Sequence, residues 1–426
     1  MGLNIKIVSS VIWITVLTTS LYVVANNLPA GIGSFRFIWA PITLLAILVN
    51  KPIVYTRKSL VLLLFYGVFS LGFLQYTLWT HMDSWNRSLL LNELYALLVF
   101  TSIYHYYFIR KDLLGIARIG KIGFIFILIT IVMTNIALSF DSLIVRQSAS
   151  PGNFTPYQAR IFNITGAANY GYMQALVCFI PILIYHIKYR KKLIFSNKLL
   201  VIILILLLLT IIRAQVLANV LAAFAITAIS FMAAKRKKMT IIIIIFTSFI
   251  LATIPASSYS NYLFKVSNFL DEKSVIRSKL YDFAKFVEDP DFESTTGAGE
   301  RANRYPMLFE AFIEDPLFGY SSHEHKSDIL AGGHIYWMNK LTQWGIFGFL
   351  LFLTVIYNIY KSVRKNFNEV YGFYYFLSVM TFVFMGLMKN IAGREPFLVI
   401  LVIIPGIYFL PLLEKQKPKN NVIQQV

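Results

Sequence analysis

Apolar runs of membrane length alternate with short polar loops along nearly the whole chain. Crossing the hydrocarbon core as a helix takes roughly 17–25 predominantly apolar residues, and 5–25, 60–79, 89–109 and 122–140 are the plainest examples. The full pattern predicts about twelve transmembrane helices, near 5–25, 35–49, 60–79, 88–109, 121–140, 169–187, 198–212, 214–233, 239–255, 336–360, 370–388 and 396–413. The first run is followed at once by more spans and lacks a small-residue cleavage site, so it reads as a retained helix. The expected fold is an all-α integral membrane protein with one large extracytoplasmic loop subdomain, 256–335, between spans nine and ten. Membrane segments 1–255 and 336–413 flank that loop, and a cytoplasmic tail, 414–426, follows.

Two places depart from the simple alternation. The apolar stretch 198–233 is interrupted only by Arg213 and Gln215, and at 1.5 Å per residue it is too long for one helix. Two short spans meeting at the outer face at Arg213 fit better. A non-helical turn at that depth survives only where protein buries it or it lines a cavity, so a cavity opening outward at Arg213 is expected. The second place is the long loop. Val266–Phe292 carries Leu280, Phe283 and Val287 at helical spacing, and 294–299 reads as a flexible joint. Tyr305–Glu314 reads as a short helix with Pro306 in its first turn. Asp315-Pro316 and Gly319 close that helix, and 320–333 leads to His334 at the mouth of the tenth span.

Composition fits this picture: 57% of residues are hydrophobic and 14% charged, where soluble chains carry about a quarter charged. The net charge of +19 would point to nucleic acid were it not for its placement. Basic residues gather in alternate short loops, such as Lys188/Arg190/Lys191/Lys192 and Lys235/Arg236/Lys237/Lys238, as the positive-inside rule requires of cytoplasmic loops. No nucleic-acid partner is implied, and both termini are expected in the cytoplasm. The single cysteine, Cys178, excludes an internal disulfide and a cysteine metal cluster and reads as a small buried hydrophobe. His323 and His325 lack a further placed ligand, so no metal is expected. Asn86, Asn153 and Asn163 head formal glycosylation sequons, without meaning in a bacterial cell.

Candidate chemistry lies on the outward side. Arg213 sits alone in an apolar run, where a guanidinium usually faces a partner or a cavity; the alternative is snorkelling to headgroups. Arg301 and Arg304 stand three apart, on one face if helical, and arginine forks suit phosphate or carboxylate. Their alternative is pairing with Glu300 or Glu310. His334 follows two glycines and precedes Tyr336-Trp337, and has the intrinsic pKa to take a proton from a hydroxyl near neutral pH. A lone loop histidine is otherwise incidental. Arg160, near Gly166 and Asn169, could extend an anion site or be a solvated charge. Lys389 and Arg394 fall on the same face, with headgroup anchoring as the alternative.

With these residues in order, the chain resembles the O-antigen ligase / O-antigen polymerase superfamily of bacterial envelope glycosyltransferases. The resemblance rests on Arg301 followed by Tyr305, the turn Asp315-Pro316-Leu317-Phe318-Gly319, and His334 followed by Gly345 and Gly348. Arg213 at an apolar-helix boundary and the stretch Arg160, Gly166, Asn169 match in part. Family members commonly have asparagine after the histidine, where this chain has Ile335, and serine before the boundary arginine, where it has Ile212. The resemblance implies an inverting glycosyltransferase of the bacterial cytoplasmic membrane, working at its outer face without metal or cofactor. The donor would be a glycan on undecaprenyl diphosphate and the acceptor another glycan, with a chain-length regulator and a flippase as partners. In that reading Arg213 and Arg301, helped by Arg160 or Arg304, hold the diphosphate, and His334 is the general base. A polymerase of repeat units is preferred. A ligase acting on lipid A core and a polyprenyl-glycan flippase are the alternatives.

Overall fold

The computed structural model describes residues 5–28, 38–50, 67, 84–148, 154–191, 194–233, 256–271, 274–289, 298–319, 335–389, 391 and 394–415, with backbone only at 84–92, 256–259, 298–303 and 415. Among these residues every regular element is a helix. The N-terminal part holds α1 (Ile5–Ser20), α2 (Tyr22–Asn27), α3 (Ala40–Asn50), α4 (Ser84–Ile109) and α5 (Leu113–Phe140). Two short helices, α6 (Ile144–Gln147) and α7 (Pro156–Thr165), lead to α8 (Tyr170–Lys188), α9 (Asn197–Arg213) and α10 (Leu217–Met232). The long polar stretch supplies α11 (Ala256–Asn268), α12 (Val275–Glu288) and α13 (Ala298–Glu314). The chain ends with α14 (Tyr336–Arg364), α15 (Glu369–Met388), α16 (Arg394–Leu398), a π-helical turn at Val399–Ile403, α17 (Ile404–Tyr408) and α18 (Leu410–Lys415).

Among the described residues four helices, α5, α8, α14 and α15, are long and apolar enough to cross a membrane, and α1, α3 and α10 are shorter apolar helices. The span expected at 239–255, and all but Gly67 of that at 60–79, lie outside the described residues. α8 is the centre: every residue from Tyr172 to His186 is buried, against α9, α10, α15 and α16. A helix apolar on all sides belongs in such a place. The rim differs. Ile202 and Ile205 of α9, Val132 of α5 and Phe347 and Leu350 of α14 are large, apolar and exposed, as expected of faces turned to lipid.

Several expected boundaries shift for local reasons. The first apolar run breaks at Leu21, whose backbone is extended between α1 and α2. The last, 396–413, is interrupted by the π turn and by Pro405, which has no N–H to continue the ladder. α13 begins at Ala298, inside the joint expected at 294–299, so Pro306 lies in the helix interior and not in its first turn. α7 has a full capping box, Thr155 with Gln158, and Pro156 at its first position. It ends at Gly166 with φ 60°; a Cβ there would meet the Val23 backbone at 2.1 Å, so glycine is needed on both counts.

Candidate functional site

The apolar stretch around Arg213 does break. α9 stops at Arg213, Gln215 takes a left-handed φ of 54°, and α10 starts at Leu217. Beside the break lies a cavity of about 370 Å³. Its floor is Gln215, Val216, Leu217, Ala218 and Leu221. Arg146 of α6 and Tyr170 at the head of α8 form one side, and Leu387, Met388 and Lys389 at the end of α15 another. The long loop roofs it, with Lys279, Phe283 and Phe286 from α12, Tyr305 from α13, and Ile335 just ahead of α14.

Hydrogen bonds tie this roof to the membrane helices. The Gln215 side chain accepts from the Val275 N–H, 3.4 Å, at the first residue of α12. The Tyr305 hydroxyl donates to the Leu387 carbonyl. α12 presents Phe283 and Phe286 to the cavity while burying Leu280 and Ala284.

The lining has one electrostatic sign. Among the described residues Arg146, Lys279 and Lys389 are its charged groups, with no carboxylate beside them. Lys389 is 8% exposed, and its ammonium lies 4.5 Å from the centroid of the Tyr170 ring, a cation–π contact. Burial, and then the neighbouring Arg146, push its pKa down to about 8; desolvation and a like charge both disfavour the ammonium. The Tyr170 hydroxyl is buried without a hydrogen-bond partner among the described residues. Cations in the lining, an unsatisfied hydroxyl and apolar walls suit an amphiphile with an anionic head.

The mouth of α14 is held under strain. Ile335 is fully buried with φ 66° and ψ 71°, a conformation seldom adopted by a β-branched residue. The Tyr336 N–H donates to the Lys389 carbonyl at 3.3 Å, and the Tyr336 hydroxyl donates to Glu93 of α4. Glu93 also pairs with Lys340 at 2.8 Å, with both side chains buried. Lys340 in turn lies 4.2 Å from the Trp344 ring centroid.

The residues singled out in the sequence divide. His334, with His323 and His325, lies outside the described residues; Ile335, which follows it, lines the cavity. Residue 301 is on α13, one turn before the lining residue Tyr305. Arg304 is half-buried on the same helix and does not line the cavity, and Arg160 is exposed on α7, also away from the lining. Arg213 corrects the expectation most. Its guanidinium turns to α5, donating to Asn135 O (3.2 Å), Asn135 Oδ1 (3.1 Å) and Ser139 Oγ (3.0 Å). There it fastens the C-terminus of α9, where a cation also suits the helix dipole.

Asn169 caps α8, accepting from the Tyr172 N–H. Its amide donates to Glu395 at 3.4 Å, a carboxylate that also receives Tyr22 and Arg394. Arg394 is thus engaged away from the cavity, while Lys389 lines it. Sequence reasoning missed Arg146 and Lys279. The signal was available: the expected topology places both in outward loops, which are ordinarily poor in cations. No family model matches this chain, no curated protein matches it, and no solved structure matches it.

Proposed function

We propose that this protein is a membrane glycosyltransferase that polymerises undecaprenyl-diphosphate-linked oligosaccharide repeat units at the outer face of the bacterial cytoplasmic membrane. The reading includes the twelve-span topology, with both termini in the cytoplasm and the cavity outward. One observation carries it: a cavity lined, among the described residues, by three cations and no carboxylate, under the helices of the long loop. A lipid diphosphate fits that chemistry, with its phosphates among Arg146, Lys279 and Lys389.

In the proposed reaction an acceptor hydroxyl attacks the anomeric carbon of the donor glycan from the face opposite the diphosphate. The C–O bond to phosphate breaks with its electron pair going to the leaving diphosphate, and the configuration inverts. Fixed cations beside the developing charge stabilise the transition state. The hydroxyl proton passes to His334, one residue before the cavity-lining Ile335. Arg301, a turn from Tyr305, would complete the cationic set from α13. Arg213 would act by holding α9 to α5, which keeps the break, and so the cavity floor, in place.

The test is incubation of purified protein with an undecaprenyl-diphosphate repeat unit alone. A ladder of longer glycans is expected, and it should vanish in His334→Ala while the protein remains inserted and folded. Retained activity in that variant would remove the histidine from the mechanism. Transfer only when lipid A core is added would make the protein a ligase, and movement of donor without bond formation would make it a transporter.

A further inference from the structure

We infer that the outward edge of α13 and the turn that ends it are seated in the outer leaflet of the bilayer, with lipid acyl chains as their partner. Phe309 and Ile313, four apart on α13, and Leu317 and Phe318 of the turn that ends it are 52%, 57%, 50% and 58% exposed. Residues at that spacing share one face. The opposite face is closed: Leu308 and Ala311 are buried, and the Thr342 hydroxyl of α14 donates to the Leu308 carbonyl at 3.0 Å. Single exposed apolar residues are ordinary, but a contiguous row this large marks a contact surface.

What covers the row follows from its continuity with α14. That helix departs from helical geometry at Gly345 (φ 58°, ψ −172°). The turn after α13 fills the gap: Ile346 N–H donates to Pro316 O at 2.8 Å, and Phe347 N–H to Leu317 O at 3.3 Å. Two of the turn's carbonyls are thereby satisfied without water. Phe318 lies 5.5 Å, centroid to centroid, from Phe347, which with Leu350 opens the exposed apolar side of a membrane-length helix. The row on α13 runs onto that side without a polar break at the Phe318–Phe347 contact. Glu310 and Glu314, exposed beside the row, limit the depth to the headgroup boundary. That is the placement of an amphipathic helix with its apolar face about 5–10 Å into the interface. A protein partner would have to straddle loop and membrane surface at once, whereas the bilayer meets both. The inference does not depend on the reaction the cavity supports.

Single cysteines decide it. In full-length protein with Cys178→Ala, the variants Phe309→Cys, Ile313→Cys and Phe318→Cys are labelled with bimane and placed in phosphatidylcholine liposomes. Leu350→Cys serves as the lipid-facing reference and Glu288→Cys as the aqueous one. Spin-labelled lipids carrying the quencher near the headgroup should quench the three sites at least about twofold more than the Glu288 site, with shielding from aqueous iodide. Iodide quenching equal to that at Glu288 would place the row in water and overturn the inference. Protection from both quenchers would mean that protein covers it, a second copy or another segment, and would overturn it equally.

Discussion

Lys389 carries its ammonium where water scarcely reaches, against the Tyr170 ring and close to Arg146. An unfolded lysine keeps its proton to about pH 10.4, whereas this one loses it near 8. Between those values the unfolded chain binds more protons, so stability rises with pH across that window, and the burial penalty is fully present below about pH 8. A bound diphosphate reverses the balance by favouring the charged form. Binding of a short-chain isoprenyl diphosphate should therefore weaken as pH rises from 7 to 9, and Lys389→Met should flatten that dependence in calorimetric titrations. An unchanged slope in the variant would remove Lys389 from the anion site.

Glu93 and Lys340 pose a related problem inside the bundle, where a charge without its partner is costly. Breaking such a pair costs about 3–5 kcal/mol, while replacing both members by apolar residues is often neutral. Thermal unfolding in detergent should accordingly show a large loss for Glu93→Gln and most of it recovered in Glu93→Leu/Lys340→Met. Equal losses would show that the pair is no energetic unit. Both charges were plain in the sequence, inside predicted spans, but nothing in a hydropathy pattern says which distant charge meets which.

Among the elements, α14 teaches most about what a pattern can convey. Its length and apolar character were legible, and so was the spacing of Asp315-Pro316-Leu317-Phe318-Gly319 from Gly345. The reason for that spacing was not, because a left-handed φ inside an apolar run leaves hydropathy unchanged. Gly319 (φ 77°) and Gly345 (φ 58°) meet backbone to backbone: a Cβ on Gly345 would lie 2.4 Å from the Leu317 carbonyl, and one on Gly319 2.4 Å from the Gly345 nitrogen. Gly345→Ala should lower stability by more than about 1 kcal/mol, from strained φ and collision together, visible as a reduced unfolding midpoint. An unchanged midpoint would mean that the turn does not clamp the helix. The break after Arg213 was legible for a better reason, since its length argument rests on helix rise alone. Arg213's orientation was not, because its partners Asn135 and Ser139 come from a different helix.

For the molecule as a whole, run lengths announced helices of membrane length and a break near Arg213; among the described residues four such helices are present and the break is there. The cavity's lining was only partly legible, because its walls come from stretches far apart in the chain. That scatter sets a timetable for the nascent protein. Synthesis delivers Arg146 and Tyr170 first, then the floor at 215–221, then the roof residues of α12 and α13. Gln215 is thus in place before Val275, whose N–H it receives. Lys389, the most deeply buried cation of the site, emerges after all of these. Until α15 is inserted, the pocket has a floor and a roof without its far wall, so the emerging chain carries the cavity open until α15 follows.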